Sequence, residues 1–157
     1  LGVITPPVER LRERLDIPGM AVLQFVYDER RPDLDPLEDA ARGRLLYTAT
    51  HDQDTVMGWW GSLSATAREP VIRALRRRAI GLKADSGPWP FIRLVAQSPA
   101  GISMMQMQDV LGLGSSARMN TPGRARGNWR WRMAAGAASP ALARRLRSVT
   151  ADAGRTR

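Results

Sequence analysis

Residues 45–55 read Leu45-Leu46-Tyr47-Thr48-Ala49-Thr50-His51-Asp52-Gln53-Asp54-Thr55, and this stretch decides the fold class. Its first half is apolar or β-branched, which is typical of a buried strand, and its second half carries an imidazole, two carboxylates and hydroxyls. In α/β enzymes the strand bodies fill the core while the strand ends carry the chemistry. His51 and Asp52 are therefore the leading candidates for a functional site.

Two other interpretations of this pair stay open. A histidine beside an aspartate is often a purely structural pair. The run His51-Asp52-Gln53-Asp54 could also suggest a metal site. However, the sequence contains one histidine and no cysteine, so no second cluster completes a ligand set. We predict neither a metal nor a cofactor.

The composition limits the class of protein. A chain of 157 residues can build one domain with a substantial core. It has no apolar run near the roughly 20 residues of a membrane span, so we predict no membrane partner. The absence of cysteine removes a disulfide framework and suits a reducing compartment, so we predict a cytoplasmic protein.

The net charge of +9 raises the question of nucleic-acid binding. Lys83 is the only lysine, so nearly all of the positive charge is arginine, and it is spread over several predicted helices. The densest cluster, Arg73 with Arg76-Arg77-Arg78, lies where a solvated helix face is expected. We predict no specific nucleic-acid partner and only weak, non-specific retention on DNA.

The apolar pattern predicts an alternation of helices and strands. The first helix is predicted from Thr5-Pro6-Pro7 to about Asp16, with Val8, Leu11 and Leu15 inward, and it is followed by a strand over 20–26, a surface loop over 28–43 and the strand that ends at His51. Next come a long helix capped by Ser64 or Thr66, a shorter helix over 91–98, a strand over 102–107 and a short helix from Gln108. The last helix is predicted from Ser139-Pro140, with Leu142, Leu146 and Val149 inward. Such alternation predicts a parallel sheet with covering helices. We assign residues 1–157 to a single domain and predict that residues 153–157 fray.

A late segment, Trp129-Arg130-Trp131-Arg132, alternates aromatic and cationic side chains. Stacking of the tryptophans on sugars or bases is one interpretation. We favour the other, in which both tryptophans are wedged against the scaffold and the arginines point outward.

Six stretches carry a more specific signal. They are Leu1-Gly2-Val3-Ile4-Thr5-Pro6, then Pro18-Gly19-Met20 with Val22-Leu23-Gln24-Phe25, then Thr48, Thr50-His51-Asp52 and Asp54-Thr55 with Gly58-Trp59-Trp60, then Gln108-Asp109-Val110-Leu111-Gly112-Leu113-Gly114-Ser115, then Ala117-Arg118-Met119-Asn120-Thr121-Pro122-Gly123-Arg124, and finally Gly127-Asn128-Trp129-Arg130-Trp131-Arg132. In this order they resemble the amylomaltase family of 4-α-glucanotransferases, also called disproportionating enzymes. The resemblance extends over nearly the whole chain.

The resemblance implies an α/β fold, the C-terminal portion of a (β/α)₈ barrel. About three parallel strands with covering helices would form an incomplete barrel, because a closed one takes eight strands. It also implies an enzyme of starch, glycogen or maltodextrin metabolism that cleaves an α-1,4-glucosidic bond. The enzyme would pass the glucan to the 4-hydroxyl of an acceptor sugar with retention of configuration.

By the same resemblance, four residues belong to the site. Retention requires a nucleophilic carboxylate and an acid/base carboxyl group, and the family adds a third carboxylate in its His-Asp motif, which Asp52 matches. Asp52 would accept hydrogen bonds from the sugar and stabilise positive charge at the anomeric carbon in the transition state. We expect His51 to hydrogen-bond the same sugar, for which a neutral imidazole suffices, and we expect Phe25 and Asn120 to bind it too. Asp54 is expected to brace the motif.

The resemblance also implies that two carboxyl groups are missing. The family's acid/base glutamate lies in a Glu-Asp-Leu-Gly motif, the chain opens at its Leu1-Gly2, and the nucleophilic aspartate precedes that motif. We therefore expect a C-terminal fragment that is inactive alone and a full-length parent that is the transferase. The alternative is an amylase-type α-glucan hydrolase, which has the same three-carboxylate arrangement but passes the glycosyl group to water.

Overall fold

The computed structural model describes residues 4–27 and 36–156, which alternate helices and strands. The helices are α1 (Pro6–Arg14), α2 (Leu23–Val26), α3 (Pro36–Ala41), α4 (Val56–Ser62), α5 (Ala65–Arg77), α6 (Trp89–Ala96), α7 (Met107–Val110) and α8 (Pro140–Asp152), and the strands are β1 (Gly19–Val22), β2 (Arg44–Tyr47) and β3 (Ile102–Met104). A 3₁₀ turn occupies Ser115–Ala117. The predictions that concern residues 1–3, 28–35 and 157 lie outside the described residues.

The strands form one parallel sheet in the order β1-β2-β3. Gly19 aligns with Arg44, and Leu45 aligns with Ile102. Because the strands are parallel, their carboxyl ends lie at the same edge of the sheet, and the residues that follow them can meet there. This arrangement confirms the predicted three parallel strands with covering helices.

Two clusters of buried side chains hold the fold together. The larger one joins the sheet to α3, α5 and α6 and includes Leu23, Leu37, Leu46, Val71, Leu75, Phe91, Leu94 and Val95. The smaller one joins α6 to α8 through Trp89, Ile92, Val110 and Val149, with Leu142 and Leu146 packed against it. The predicted inward face of the last helix is therefore confirmed.

Several predicted segments need correction. The strand predicted over 102–107 ends at Met104, and the helix predicted from Gln108 begins at Met107. The strand predicted over 20–26 ends at Val22, and Leu23–Val26 is a helical turn that buries Leu23 and leaves Phe25 exposed. A continuous apolar run fits either state, so its composition alone could not separate them. The loop predicted over 28–43 contains α3, whose Leu37 and Ala41 are buried; this helix is too short for its period to show in the sequence.

The long predicted helix is α5, and the structure identifies its capping residue. Ser64 Oγ accepts a hydrogen bond from the Ala67 N–H at 3.1 Å, so Ser64 rather than Thr66 caps α5. The helix ends at Arg77, and Ala79, just beyond it, has a left-handed φ of +52°. The sequence analysis did not assign α4, which Thr55 caps by accepting from the Gly58 N–H at 3.1 Å.

The sequence predictions for the first helix and for the last residues can be compared with the structure. The helix α1 forms as predicted, but the side chains of Val8, Leu11 and Leu15 are more than half exposed. At the other end, the Arg155 guanidinium donates to the carbonyl oxygens of Ala96, Ser98 and Ala100 at 2.5–2.8 Å. Fraying of residues 153–157 concerns motion and stays a prediction. None of the described helices combines the length and the apolar character needed to cross a bilayer.

Candidate functional site

A cavity of about 660 Å³ borders β1, β2 and the residues that follow them. The lining includes Phe25, which follows β1 and is 71% exposed, and the run from Thr50 to Gln53, which follows β2. The predicted site residues Phe25, His51 and Asp52 thus share one cavity, although Phe25 lies in α2 and His51 lies between β2 and α4. The remaining lining is mostly apolar, which is usual for ligand sites.

Asn120 reaches this cavity through Asp52. Its Nδ2 donates to Asp52 Oδ1 at 2.5 Å, and its backbone N–H donates to the His51 carbonyl oxygen at 3.0 Å. His51 Nε2 lies 3.4 Å from the same Asp52 Oδ1. The structure therefore brings together all four predicted site residues, three in the cavity lining and Asn120 behind them.

Arg118 fixes the two segments that carry this contact. Its Nη2 donates to the Asp52 carbonyl oxygen at 2.5 Å and its Nε donates to the Asn120 carbonyl oxygen at 2.7 Å. One planar guanidinium thus ties the backbones at 52 and 120 together. The sequence analysis assigned no role to Arg118, although it lies in a motif that carries the resemblance.

A tight turn presents the His51 and Asp52 side chains. Gln53 Oε1 accepts from the backbone N–H of Thr50 at 3.0 Å and from its Oγ1 at 2.5 Å, and the Gln53 N–H donates to the Thr50 carbonyl oxygen at 3.2 Å. The two candidate residues lie between these closing contacts. These short-range contacts hold the turn, in addition to the contacts from Arg118 and Asn120.

Asp54 has bracing contacts. Its Oδ2 accepts from Ser115 Oγ at 2.6 Å and its Oδ1 accepts from the Thr55 N–H at 2.7 Å, while its carbonyl oxygen accepts from Gln24 Nε2 at 2.7 Å. Gly58 lies directly against the Asp54–Ser115 pair. These contacts connect the site turn to α2, to the cap of α4 and to the 3₁₀ turn.

Asp109 anchors both ends of the segment that contains the site turn. It is fully buried, its Oδ2 accepts from Thr48 Oγ1 at 2.6 Å, and its Oδ1 accepts from the Val56 N–H at 2.7 Å. Burial raises the pKa of the Asp109 carboxyl, the two hydrogen bonds oppose that rise, and the charge of Asp54 adds to it. The sequence analysis assigned no role to Asp109, although a carboxylate beside Val110 and Leu111 is a signal that could have been used.

Trp129 corrects a sequence prediction. It is not wedged against the scaffold, because it is 54% exposed, whereas Trp131 is half-buried. Its ring centroid lies 5.1 Å from that of His51, with the ring planes inclined by 38°. The aromatic surface at the site is therefore larger than predicted.

This geometry suits the stabilisation of positive charge on a bound molecule. A carboxylate held by Asn120 lies at the edge of a mainly apolar cavity, where water screens its charge less than in bulk solution. Among the described residues, no side chain donates to the second oxygen, Asp52 Oδ2. That oxygen can accept a hydrogen bond from a ligand hydroxyl.

Comparison with known proteins adds a family match. The model of the 4-alpha-glucanotransferase family matches residues 1–138. The chain is 44% identical over 153 residues to a 4-alpha-glucanotransferase of Thermus thermophilus, covering 95% of this chain and 30% of that protein. It is 44% identical over 135 residues to a 4-alpha-glucanotransferase of Synechocystis, covering 84% of this chain and 26% of that protein.

Solved structures agree with the sequence match. The amylomaltase from Streptococcus agalactiae in complex with acarbose superposes with a TM-score of 0.87 at 25% identity, covering all of this chain and 31% of that one. The amylomaltase from Corynebacterium glutamicum, at 17% identity and a TM-score of 0.70, shares the fold. The chain thus spans less than a third of the length of the relatives described here.

Proposed function

This chain belongs to the 4-alpha-glucanotransferase family, and from that premise we propose that the whole protein transfers a segment of an α-1,4-glucan to the 4-hydroxyl of an acceptor sugar with retention of configuration. The observation that carries the proposal is the position of Asp52, whose carboxylate borders one cavity together with His51 and Phe25. The proposed transferase acts in starch, glycogen or maltodextrin metabolism. The complex of the S. agalactiae amylomaltase with acarbose supports an α-glucan as substrate.

Asp52 is the transition-state stabiliser in this proposal. As the glucosidic bond breaks, positive charge develops at the anomeric carbon and the ring oxygen, and a fixed carboxylate lowers the energy of that state. The Asn120 amide holds Oδ1 at 2.5 Å and leaves Oδ2 for the hydroxyls of the reacting sugar. Because Arg118 and Asn120 fix the carboxylate beforehand, little reorganisation is needed during the reaction.

The other site residues bind and orient the sugar. His51 is half-exposed at the cavity and can hydrogen-bond a sugar hydroxyl through a ring nitrogen. Phe25 offers an exposed apolar face to the same cavity. Asn120 acts on the substrate through Asp52 and through its N–H bond to the His51 carbonyl oxygen.

Transfer and hydrolysis are separated by the products that form from maltotriose. The purified full-length protein is incubated with maltotriose and the products are resolved by length. We expect a ladder of glucans longer than maltotriose, together with glucose. Products restricted to glucose and maltose would identify an amylase-type hydrolase and overturn the proposal.

The proposed compartment is the cytoplasm. It rests on the absence of cysteine from the 157 residues. The rice relative is named as chloroplastic/amyloplastic, so compartments differ within the family. Localisation of a tagged full-length protein by microscopy or fractionation decides between them.

A further inference from the structure

We infer that Trp129 is a stacking platform for a glucosyl ring of the substrate, in a subsite that His51 borders. This inference rests on the proposed function, because it names a further contact of the same glucan. The sequence prediction that both tryptophans are wedged against the scaffold is replaced by a binding role for the first of them.

The exposure of Trp129 is unusual for its size. An indole is the largest apolar side chain, yet this one is 54% exposed. Trp89 shows the ordinary behaviour, since it is 7% exposed, packs in the smaller core cluster and has Arg145 stacked over its ring at 4.2 Å. An exposed aromatic side chain beside His51 offers a ligand a flat apolar face.

The backbone at Trp129 is held in a conformation that favours glycine. Its φ is +62°, in the left-handed region that a bulky residue rarely adopts unless its surroundings impose it. Here the Trp129 N–H donates to the Met119 carbonyl oxygen at 2.7 Å, and the Trp129 carbonyl oxygen accepts from Arg132 Nη1 at 3.0 Å. Strained residues of this kind concentrate at ligand sites.

The loop that precedes Trp129 is closed by its own hydrogen bonds. Asn128 Oδ1 accepts from the Thr121 N–H at 2.9 Å, and Asn128 Nδ2 donates to the Arg124 carbonyl oxygen at 2.9 Å. Asn120, which directly precedes Thr121, donates a hydrogen bond to Asp52. The same loop therefore carries both the amide that binds the Asp52 carboxylate and the residue that precedes the indole.

The position of the ring fits a sugar. The indole lies 5.1 Å from His51 between ring centroids, so a glucosyl unit that hydrogen-bonds the imidazole can lay its C–H face on the indole. A rigid aromatic side chain provides such contact area at little cost in conformational entropy.

The test uses Trp129→Gly and Trp129→Phe in the full-length protein, with Met133→Ala as the matched control on a nearby exposed apolar residue. Maltotriose binding is measured by calorimetry, disproportionation by product analysis, and folding by the thermal midpoint. We expect Trp129→Gly to weaken maltotriose binding and raise KM about tenfold, with kcat within about threefold. Its thermal midpoint should not fall, because glycine accepts the left-handed φ. Trp129→Phe should recover most of the affinity, and Met133→Ala should match the wild type.

The outcomes separate this inference from the proposed function. If the wild type binds maltotriose but forms no glucans longer than maltotriose, the proposed function is overturned. In that case a tenfold loss of maltotriose binding in Trp129→Gly still supports the inference. A wild type that forms the ladder while Trp129→Gly binds and reacts equally well overturns the inference alone. A Trp129→Gly variant whose midpoint and affinity fall together, without rescue by Trp129→Phe, assigns Trp129 a structural role and also overturns it. A wild type that does not bind maltotriose overturns both.

Discussion

A Cβ atom added at Gly58 would overlap Ser115 Oγ and lie 2.5 Å from Asp54 Oδ2. Since these two side chains are hydrogen-bonded to each other, Gly58→Ala has to separate them or move α4. We expect a loss of about 1–3 kcal/mol in the free energy of unfolding. Gly61→Ala in the same helix is the control, because a Cβ there has no heavy atom within 4 Å, and it should be neutral or stabilising. Equal urea midpoints for the two variants would contradict this account.

The buried carboxyl of Asp109 predicts a pH dependence of stability. Burial raises its pKa above the ordinary value of 3.8 in the folded state. Below pH 3.8 the group is protonated in both states and the stabilisation linked to the raised pKa is fully present. As pH rises, the unfolded chain ionises first, and the stabilisation is lost as pH passes through the pKa of the folded state.

Asp109→Asn removes this titration and is the reference for measuring it. We expect the free energy of unfolding of the wild type, minus that of Asp109→Asn, to fall as pH rises from below 3.8 and to level off above the raised pKa. Urea titrations of both proteins over a series of pH values provide the difference. A difference that stays constant or increases with pH would show that Asp109 does not titrate as described.

At the scale of elements, the assignment of Ser64 as the N-cap of α5 can be tested by substitution. Ser64 Oγ accepts from the Ala67 N–H, and Thr66 has no such role. Ser64→Ala should lower the free energy of unfolding by about 1 kcal/mol, whereas Ser64→Asp should retain the cap. Thr66→Ala, measured by the same urea titration, should stay within about 0.5 kcal/mol of the wild type. A larger loss of unfolding free energy in Thr66→Ala than in Ser64→Ala would show that Ser64 is not the capping residue.

The elements also show what the sequence could and could not predict. The strand that ends before His51 was predictable because an apolar run followed by a polar tip is a local pattern. The early end of β1 was not, since the side chains of Leu23 to Val26 fit a strand or a helical turn equally well. The resemblance placed Asn120 in the site, but its contact with Asp52 spans 68 residues, has no local pattern and was not predicted. The exposure of Trp129 depends on the fold of a loop without apolar periodicity.

At the scale of the whole molecule, the mechanism requires three carboxyl groups, and the resemblance assigns only Asp52 to these 157 residues. We therefore predict that this chain by itself does not disproportionate maltotriose, whereas the full-length protein does. Product analysis of the two preparations, at equal molar concentration, provides the comparison. A glucan ladder formed by the 157-residue chain alone would contradict the assignment of the carboxyl groups.

The most direct test of the central claim is the kcat of Asp52→Asn in the full-length protein with maltotriose. The asparagine keeps an oxygen that can accept the Asn120 hydrogen bond, so the geometry is retained while the negative charge is removed. We predict that kcat falls at least about 100-fold and that the thermal midpoint stays within about 2 °C of the wild type. A kcat within about threefold of the wild type would contradict the account, because the charge at position 52 would then not stabilise the transition state.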